Sequence, residues 1–252
     1  MSDLEIKAVA DERRLPLEQL NQRILDNNPF LFTLPLACAI AAPRGAGKST
    51  LLHALVLRYV GLGIFKPEHI FIFSPSVKMD PALMNIPLPD SNKFDGFNHD
   101  KVNEIIVSQK RILENPNKKI GGRRRTPHIL LIFDDCIMDK KAMARHGALA
   151  EIFIRGRHWN CHCIVTAQKW NMLATPIRAN AAQVVIFKPF AFSELESFVE
   201  SYITKKRRND FIKWVKGVFE EQPHTFLAID HNQRGKYHYS INFQAWVDSS
   251  AF

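Results

Sequence analysis

The sequence predicts an α/β fold: a central, mainly parallel sheet with helices on both faces. Three observations carry that expectation. Unbroken apolar runs, "EHIFIFSPS", "HILLIFDDC", "CHCIVTAQ" and "VVIFKP", have strand length and lack the alternation of a sheet with one wet face. Helix-length segments with one apolar side alternate with these runs, an order that builds a doubly covered sheet. The first apolar run feeds a glycine-rich loop and then a helix, the context in which backbone N–H groups converge on an anion.

Taken in chain order, Leu17, Leu20, Ile24 and Leu25 share a helical face in an N-terminal extension over residues 1–30, which Asn27, Asn28 and Pro29 bring to an end. Residues 31–252 form the main domain. Its first strand lies in "LFTLPLACAIAAP", and Leu51, Leu52, Leu55 and Val56 give "STLLHALVLRYV" a helical period. "EHIFIFSPS" is the second strand. Pro81, Pro87 and Pro89 make residues 80–98 a long irregular connection, and "DKVNEIIVSQKRILEN" after it is helical. A basic loop, "NPNKKIGGRRRTP", leads to the strand in "HILLIFDDC". A helix near 140–155, the strand "CHCIVTAQ", the proline-punctuated "LATPIRANAAQ" and the strand "VVIFKP" follow. Beyond a helical stretch near 192–221, "HTFLAID" and "KYHYSINF" make a C-terminal β-hairpin extension at a sheet edge.

Composition narrows the function classes. The chain has 252 residues, 46% hydrophobic and 23% charged, which is globular rather than disordered or fibrous. No apolar run approaches the roughly 20 residues of a membrane-spanning helix, and the first residues lack the apolar core of a signal peptide. A soluble intracellular protein is expected. Cys38, Cys136, Cys161 and Cys163 sit in apolar stretches, as reduced core thiols do, so redox chemistry is not expected. A net charge of +9 favours a polyanionic partner such as nucleic acid over a merely soluble basic surface.

The loop "AIAAPRGAGKST" matches the phosphate-binding pattern GxxxxGK[ST] except at its first position, where Ala42 replaces glycine. Gly45 and Gly47 permit the tight wrap, so Pro43, Arg44, Gly45, Ala46, Gly47, Lys48, Ser49 and Thr50 are the candidate nucleotide-binding residues. Lys48 bridges the terminal phosphates, and the Ser49 hydroxyl is a ligand for Mg²⁺. The first position mainly ends the strand, so alanine fits there if its φ stays negative. "ILLIFDD" delivers Asp134 and Asp135 to the same sheet edge as the loop. Asp134 is assigned to the Mg²⁺ shell and Asp135 to the attacking water as general base, against the alternative that both only cap a helix. Gln168, at the end of "CHCIVTAQ", senses the γ-phosphate if its strand lies between the two motifs.

The set "APRGAGKS", "LLIFDD", "RGRHWNCHCIVTAQ" and "TPIRANAAQVVIFKP", in this order over roughly residues 35–190, resembles the FtsK/HerA superfamily of DNA-translocating ATPases. Within it the chain is most similar to the viral genome-packaging branch, the poxvirus-type virion packaging ATPases, which also occur in membrane-containing icosahedral viruses, virophages and virus-like transposons. The resemblance implies a P-loop NTPase of the ASCE, RecA-like kind, with ATP and Mg²⁺ as cofactors. It implies double-stranded DNA as partner, a ring of identical subunits, commonly a hexamer, capsid or vertex proteins nearby, and a place in the virion or at the host-cell assembly site. It further implies Gln168 as the sensor and an arginine from a neighbouring subunit completing the site. Arg157 is the first choice, Arg155 the second and Arg178 the third; the alternative for each is a surface salt bridge or a DNA contact.

Lys118, Lys119, Arg123, Arg124 and Arg125 flank two glycines and make a mobile basic loop suited to DNA phosphates. Lys205 to Arg208 form a second candidate cluster for DNA phosphates, for which a nuclear-import signal or the polar side of a helix is the stronger reading. His158, Cys161, His162 and Cys163 crowd together, yet on a strand Cys161 and Cys163 face one way and His162 the other, so core thiols are a better reading than a metal site. Three functions compete: a packaging motor, another FtsK/HerA-like motor for plasmid or chromosome transfer or DNA-end processing, and a nucleotide-gated assembly protein with little turnover.

Overall fold

The computed structural model describes residues 17–27, 31–114, 119–120, 123–124, 127–136, 147–189, 191–203, 207–221, 224–232 and 237–248. Among the described residues, nine strands make one sheet. Its parallel part comprises β1 (Ala37–Ala41), β2 (Ile70–Ser74), β3 (Lys93–Asp95), β6 (Ile129–Phe133), β7 (Cys161–Ala167) and β8 (Gln183–Phe187), in the spatial order β3–β2–β6–β7–β1–β8. β9 (Phe226–Asp230) adds to β8 antiparallel, and β10 (Tyr237–Ile241) and β11 (Ala245–Asp248) continue the antiparallel edge. β4 (Lys119–Ile120) and β5 (Arg123–Arg124) pair separately as a short ribbon.

The continuous apolar runs become strands because both faces of the sheet are covered. On β6, Ile129, Leu131 and Phe133 enter one core; Leu130 and Ile132 enter the other. Five helices cover the first face: α4 (His99–Glu114), α5 (Ala148–Arg155), α6 (Thr175–Asn180), α7 (Phe192–Tyr202) and α8 (Arg208–Glu221). Opposite them lie α1 (Leu17–Asn27), α2 (Lys48–Gly61) and the short α3 (Pro81–Met84). α2 buries Leu51, Leu52, Leu55 and Val56, the residues that give its sequence a helical period, and adds Tyr59. α1 buries Leu20 and Ile24 beside them, while Leu17 and Leu25 are exposed. The Asn21 side chain pairs both ways with the Leu34 backbone, at 2.9 and 2.7 Å, which fastens α1 to the chain entering β1.

Several elements differ from expectation. The 80–98 connection contains α3, a 3₁₀ turn at Asp90–Asn92 and the edge strand β3, whose three residues are too few for an apolar pattern to register. The basic loop is a ribbon rather than an open loop: Lys119 pairs with Arg124 and Ile120 with Arg123. Gly121 and Gly122 stand between the paired residues, a hairpin spacing the charge run obscures. The C-terminal extension has three strands, because β11 follows β10 after a turn in which Asn242 and Phe243 take positive φ. Of the helix expected near 140–155, residues 140–146 lie outside the described residues and the later part is α5.

Candidate nucleotide-binding site

At the carboxyl end of β1 the chain turns sharply into α2. Gly45 and Gly47 have φ of 79° and 101°, a left-handed backbone open to glycine at little cost, and the Ala46 N–H donates to the Pro43 carbonyl at 3.1 Å. Gly47 caps α2 without a side chain, which leaves the helix N-terminus to face an incoming anion. Ala42 keeps a negative φ, donates its N–H to the Ala167 carbonyl at 2.9 Å and is fully buried in the α2-side core. Position 42 therefore prolongs the β1–β7 ladder by one backbone bond, and alanine adds a methyl to the core beside it. Residues 42–45 and 47–50 line one side of an open cleft of about 550 Å³; Ser76, Asp80, Ala82, Asp134, Asp135 and Gln168 line the rest.

Register brings the acids there. β2 and β6 pair through Phe73 and Phe133, and β6 and β7 through Phe133 and Val165, so one step further Ser74, Asp134 and Thr166 stand side by side. All three follow the alternation of Ile72, Ile132 and Ile164, which face α2. Asp134 is buried and fully engaged: Ser74 Oγ donates to its Oδ2 at 2.9 Å, Thr166 Oγ1 to its Oδ1 at 2.7 Å, and Lys48 Nζ lies 3.1 Å from Oδ1. Lys48 also pairs with Asp135 Oδ2. Asp135 has a φ of 50° and donates its N–H to Thr166 Oγ1 at 3.1 Å, while its Oδ1 is buried with no hydrogen-bond partner among the described residues. Lysine from the loop and both acids thus meet at one point.

Gln168 is exposed at the carboxyl end of β7 and lines the cleft, and β7 does lie between β1 and β6. The three arginines stand elsewhere. Arg155 and Arg157 are exposed at the opposite, amino end of β7. Arg157 lines a smaller recess there with Leu36, Ile154 and Asn180. Arg178, half-buried on α6, contacts Thr175 Oγ1 at 3.4 Å, and none of the three lines the cleft. The ribbon strands that carry Lys119, Arg123 and Arg124 lie between α4 and β6 in the chain; Lys118 and Arg125 lie outside the described residues, as do Lys205 and Lys206. Arg208 is a structural tie, 3.4 Å from Glu200 and bonded to the Ile203 carbonyl at 3.2 Å.

Cys161 and Cys163 join the core under α4–α8, while His162 turns to the other side against Phe65, with rings 5.2 Å apart. Burial pushes the Cys161 thiol up to about 12 and those of Cys38 and Cys163 well above their usual value, which keeps them protonated and inert. Sequence reading missed Ser74, Ser76, Asp80, Thr166 and also His224, whose Nδ1 lies 3.2 Å from the Ala46 carbonyl. Only a strand register could have singled out Ser74 and Thr166.

The model for the family described as "Poxvirus A32 protein" matches residues 23–229, most of the chain. The chain belongs to the poxvirus A32 protein family. The resemblance to poxvirus-type packaging ATPases is therefore one of membership. A32-type architecture recurs in the genome-packaging NTPase B204 of Sulfolobus turreted icosahedral virus 2. Its complex with AMPPCP is 16% identical over 81% of this chain and 95% of that one, with a TM-score of 0.55. The complex with AMP gives 15% identity and a TM-score of 0.56 over the same shares. At such identity the likeness is one of fold, a P-loop NTPase. Protein L437 of Acanthamoeba polyphaga mimivirus is 28% identical over 153 residues, 58% of this chain and 50% of the relative, so the A32-type chain spans about half the length of that curated relative.

Proposed function

We propose that this chain hydrolyses ATP to drive double-stranded DNA into a preformed viral capsid. The observation that carries the reading is the meeting of Lys48 with Asp134 and Asp135 at the mouth of the glycine loop. The loop N–H groups and Lys48 cradle the triphosphate, and Gln168 reaches its terminal group from β7. An all-oxygen donor pair, the Ser49 hydroxyl and the buried Asp134 carboxylate, suits Mg²⁺, and the unpaired Asp135 Oδ1 at the cleft suits a water. Mg²⁺ supplies charge neutralisation on the phosphates when bound. Asp135 then accepts the proton of the attacking water, once Lys48 has left it for phosphate.

Arg155 and Arg157 are exposed and do not line their own cleft, which supports the reading that they serve a neighbour's in a ring, a hexamer in our reading, with Arg157 as the inserted group, Arg155 second and Arg178 the least favoured. Ribbon residues Lys119, Arg123 and Arg124 contact duplex phosphates, together with Lys118 and Arg125. Capsid or vertex proteins complete the assembly in the virion or at its assembly site. The test is ATP hydrolysis with and without duplex DNA at two salt concentrations, beside Lys48→Ala and Asp135→Asn. A DNA-stimulated rate that weakens with salt and falls on the order of 100-fold or more in both variants is expected. An oligomeric wild type no faster than Asp135→Asn at every DNA concentration would overturn the motor in favour of a switching ligand.

A further inference from the structure

One hydroxyl touches both acids. Thr166, fully buried near the carboxyl end of β7, donates to Asp134 Oδ1 at 2.7 Å and accepts the Asp135 N–H at 3.1 Å. A hydroxyl has one proton and two lone pairs, so these two bonds fix its rotor: the proton must point at Asp134 because the peptide N–H occupies the other side. On the far side of Asp134, Ser74 Oγ donates to Oδ2 at 2.9 Å and lies 3.1 Å from the hydroxyl of Ser76, which lines the cleft. A polar row thus crosses β2, β6 and β7 and ends at the backbone of the residue assigned to the water.

The Asp135 backbone needs such a partner. Its φ of 50° lies in the left-handed region, which side-chain-bearing residues other than asparagine and aspartate seldom take and which local hydrogen bonding helps to hold. Thr166 supplies the hydrogen bond to that peptide, and the turn aims the carboxylate at Lys48 across the cleft mouth. We infer that Thr166 is the positioning residue for both acids, fixing the carboxylate of Asp134 for the divalent cation and the backbone of Asp135 for the base. Removing the hydroxyl while keeping the shape disturbs metal use and turnover together. A residue that merely packs would disturb stability alone.

The inference rests on the ATPase reading for its rate arm and is independent of it for its binding arm. Thr166→Val keeps the branched shape, and Thr166→Ser restores the hydroxyl. Fluorescent ADP is titrated onto each protein across a Mg²⁺ series, and ATP turnover is followed in parallel, with circular dichroism as a check of folding. Thr166→Val is expected to raise the Mg²⁺ concentration for half-maximal ADP binding on the order of tenfold, the usual size of losing a partner of a metal-holding carboxylate, with Thr166→Ser near wild type. Its kcat falls by a similar factor while KM stays within about twofold. A folded Thr166→Val with unchanged Mg²⁺ dependence and kcat overturns the inference. Should Thr166→Val fail to fold, Thr166→Ser and Thr166→Cys are compared; equal Mg²⁺ dependence in these two, whose donors differ in strength, would overturn it as well. Should wild type bind ADP without hydrolysing ATP, the motor reading fails and the Mg²⁺ series still decides the role of Thr166.

Discussion

Ala42, the first residue of the phosphate-loop pattern, ends the strand at the rim of the cleft. Its methyl is buried against α2 and its N–H bonds to Ala167, so the position belongs to the strand. Ala42→Gly, which restores the consensus, is expected to lower stability by about 1–2 kcal/mol, from a missing methyl and a freer unfolded backbone. Nucleotide affinity should stay within about twofold. Denaturant midpoints and a nucleotide titration check both; tighter binding by the glycine variant would mean that the departure tunes the site. Gly156 is the opposite case, a glycine that packing alone requires. A Cβ there would lie 2.6 Å from the Cys161 carbonyl oxygen, which explains the glycine of "RGRH" without reference to catalysis.

At the scale of elements, residues with their own local signal were legible in sequence. The glycine loop and the strand-end acids announced themselves, whereas Ser74 and Thr166 look like ordinary polar residues until β2, β6 and β7 are set in register. Short elements escaped too: β3 has three residues and each strand of the ribbon two, below the span over which a period can be counted. His162 carries the testable consequence of burial within β7. Its Nδ1 accepts the Leu36 N–H at 2.9 Å, so Nε2 holds the proton and donates to His128 Nδ1 at 2.8 Å. Burial, and then the nearby His128, hold its pKa well below the usual value. An unfolded chain therefore binds a proton here that the folded one refuses. Stability from this group is complete above about pH 6.5 and is lost as pH falls below it, with a slope of up to about 1.4 kcal/mol per unit. Denaturation curves between pH 7.5 and 5.5 should show that loss in wild type, and His162→Gln, less stable throughout, should show a flatter dependence. Parallel curves would mean that His162 is protonated in the fold.

The whole molecule divides its chemistry between the two edges of one sheet. Loop, acids and Gln168 occupy the carboxyl edge, where parallel strands release their ends around a common cleft. Arg155 and Arg157 occupy the amino edge, where β7 begins, and the ribbon belongs to the connection that leads into β6. Nucleotide turnover and the proposed DNA contact should therefore be separable by substitution. Neutralising Lys119, Arg123 and Arg124 together to Gln should leave ATP hydrolysis without DNA within about twofold of wild type, because the loop, the acids and Gln168 that line the cleft come from other elements. Duplex binding should weaken, and the slope of log K against log salt should become shallower by about 0.9 for each phosphate no longer neutralised, up to roughly 2.7 for three. The decisive comparison is between DNA sequences: phosphate contacts position without reading bases, so the weakening should be uniform across unrelated duplexes. A triple variant with an unchanged salt slope would remove the ribbon from the DNA path and leave its charge to the solvent.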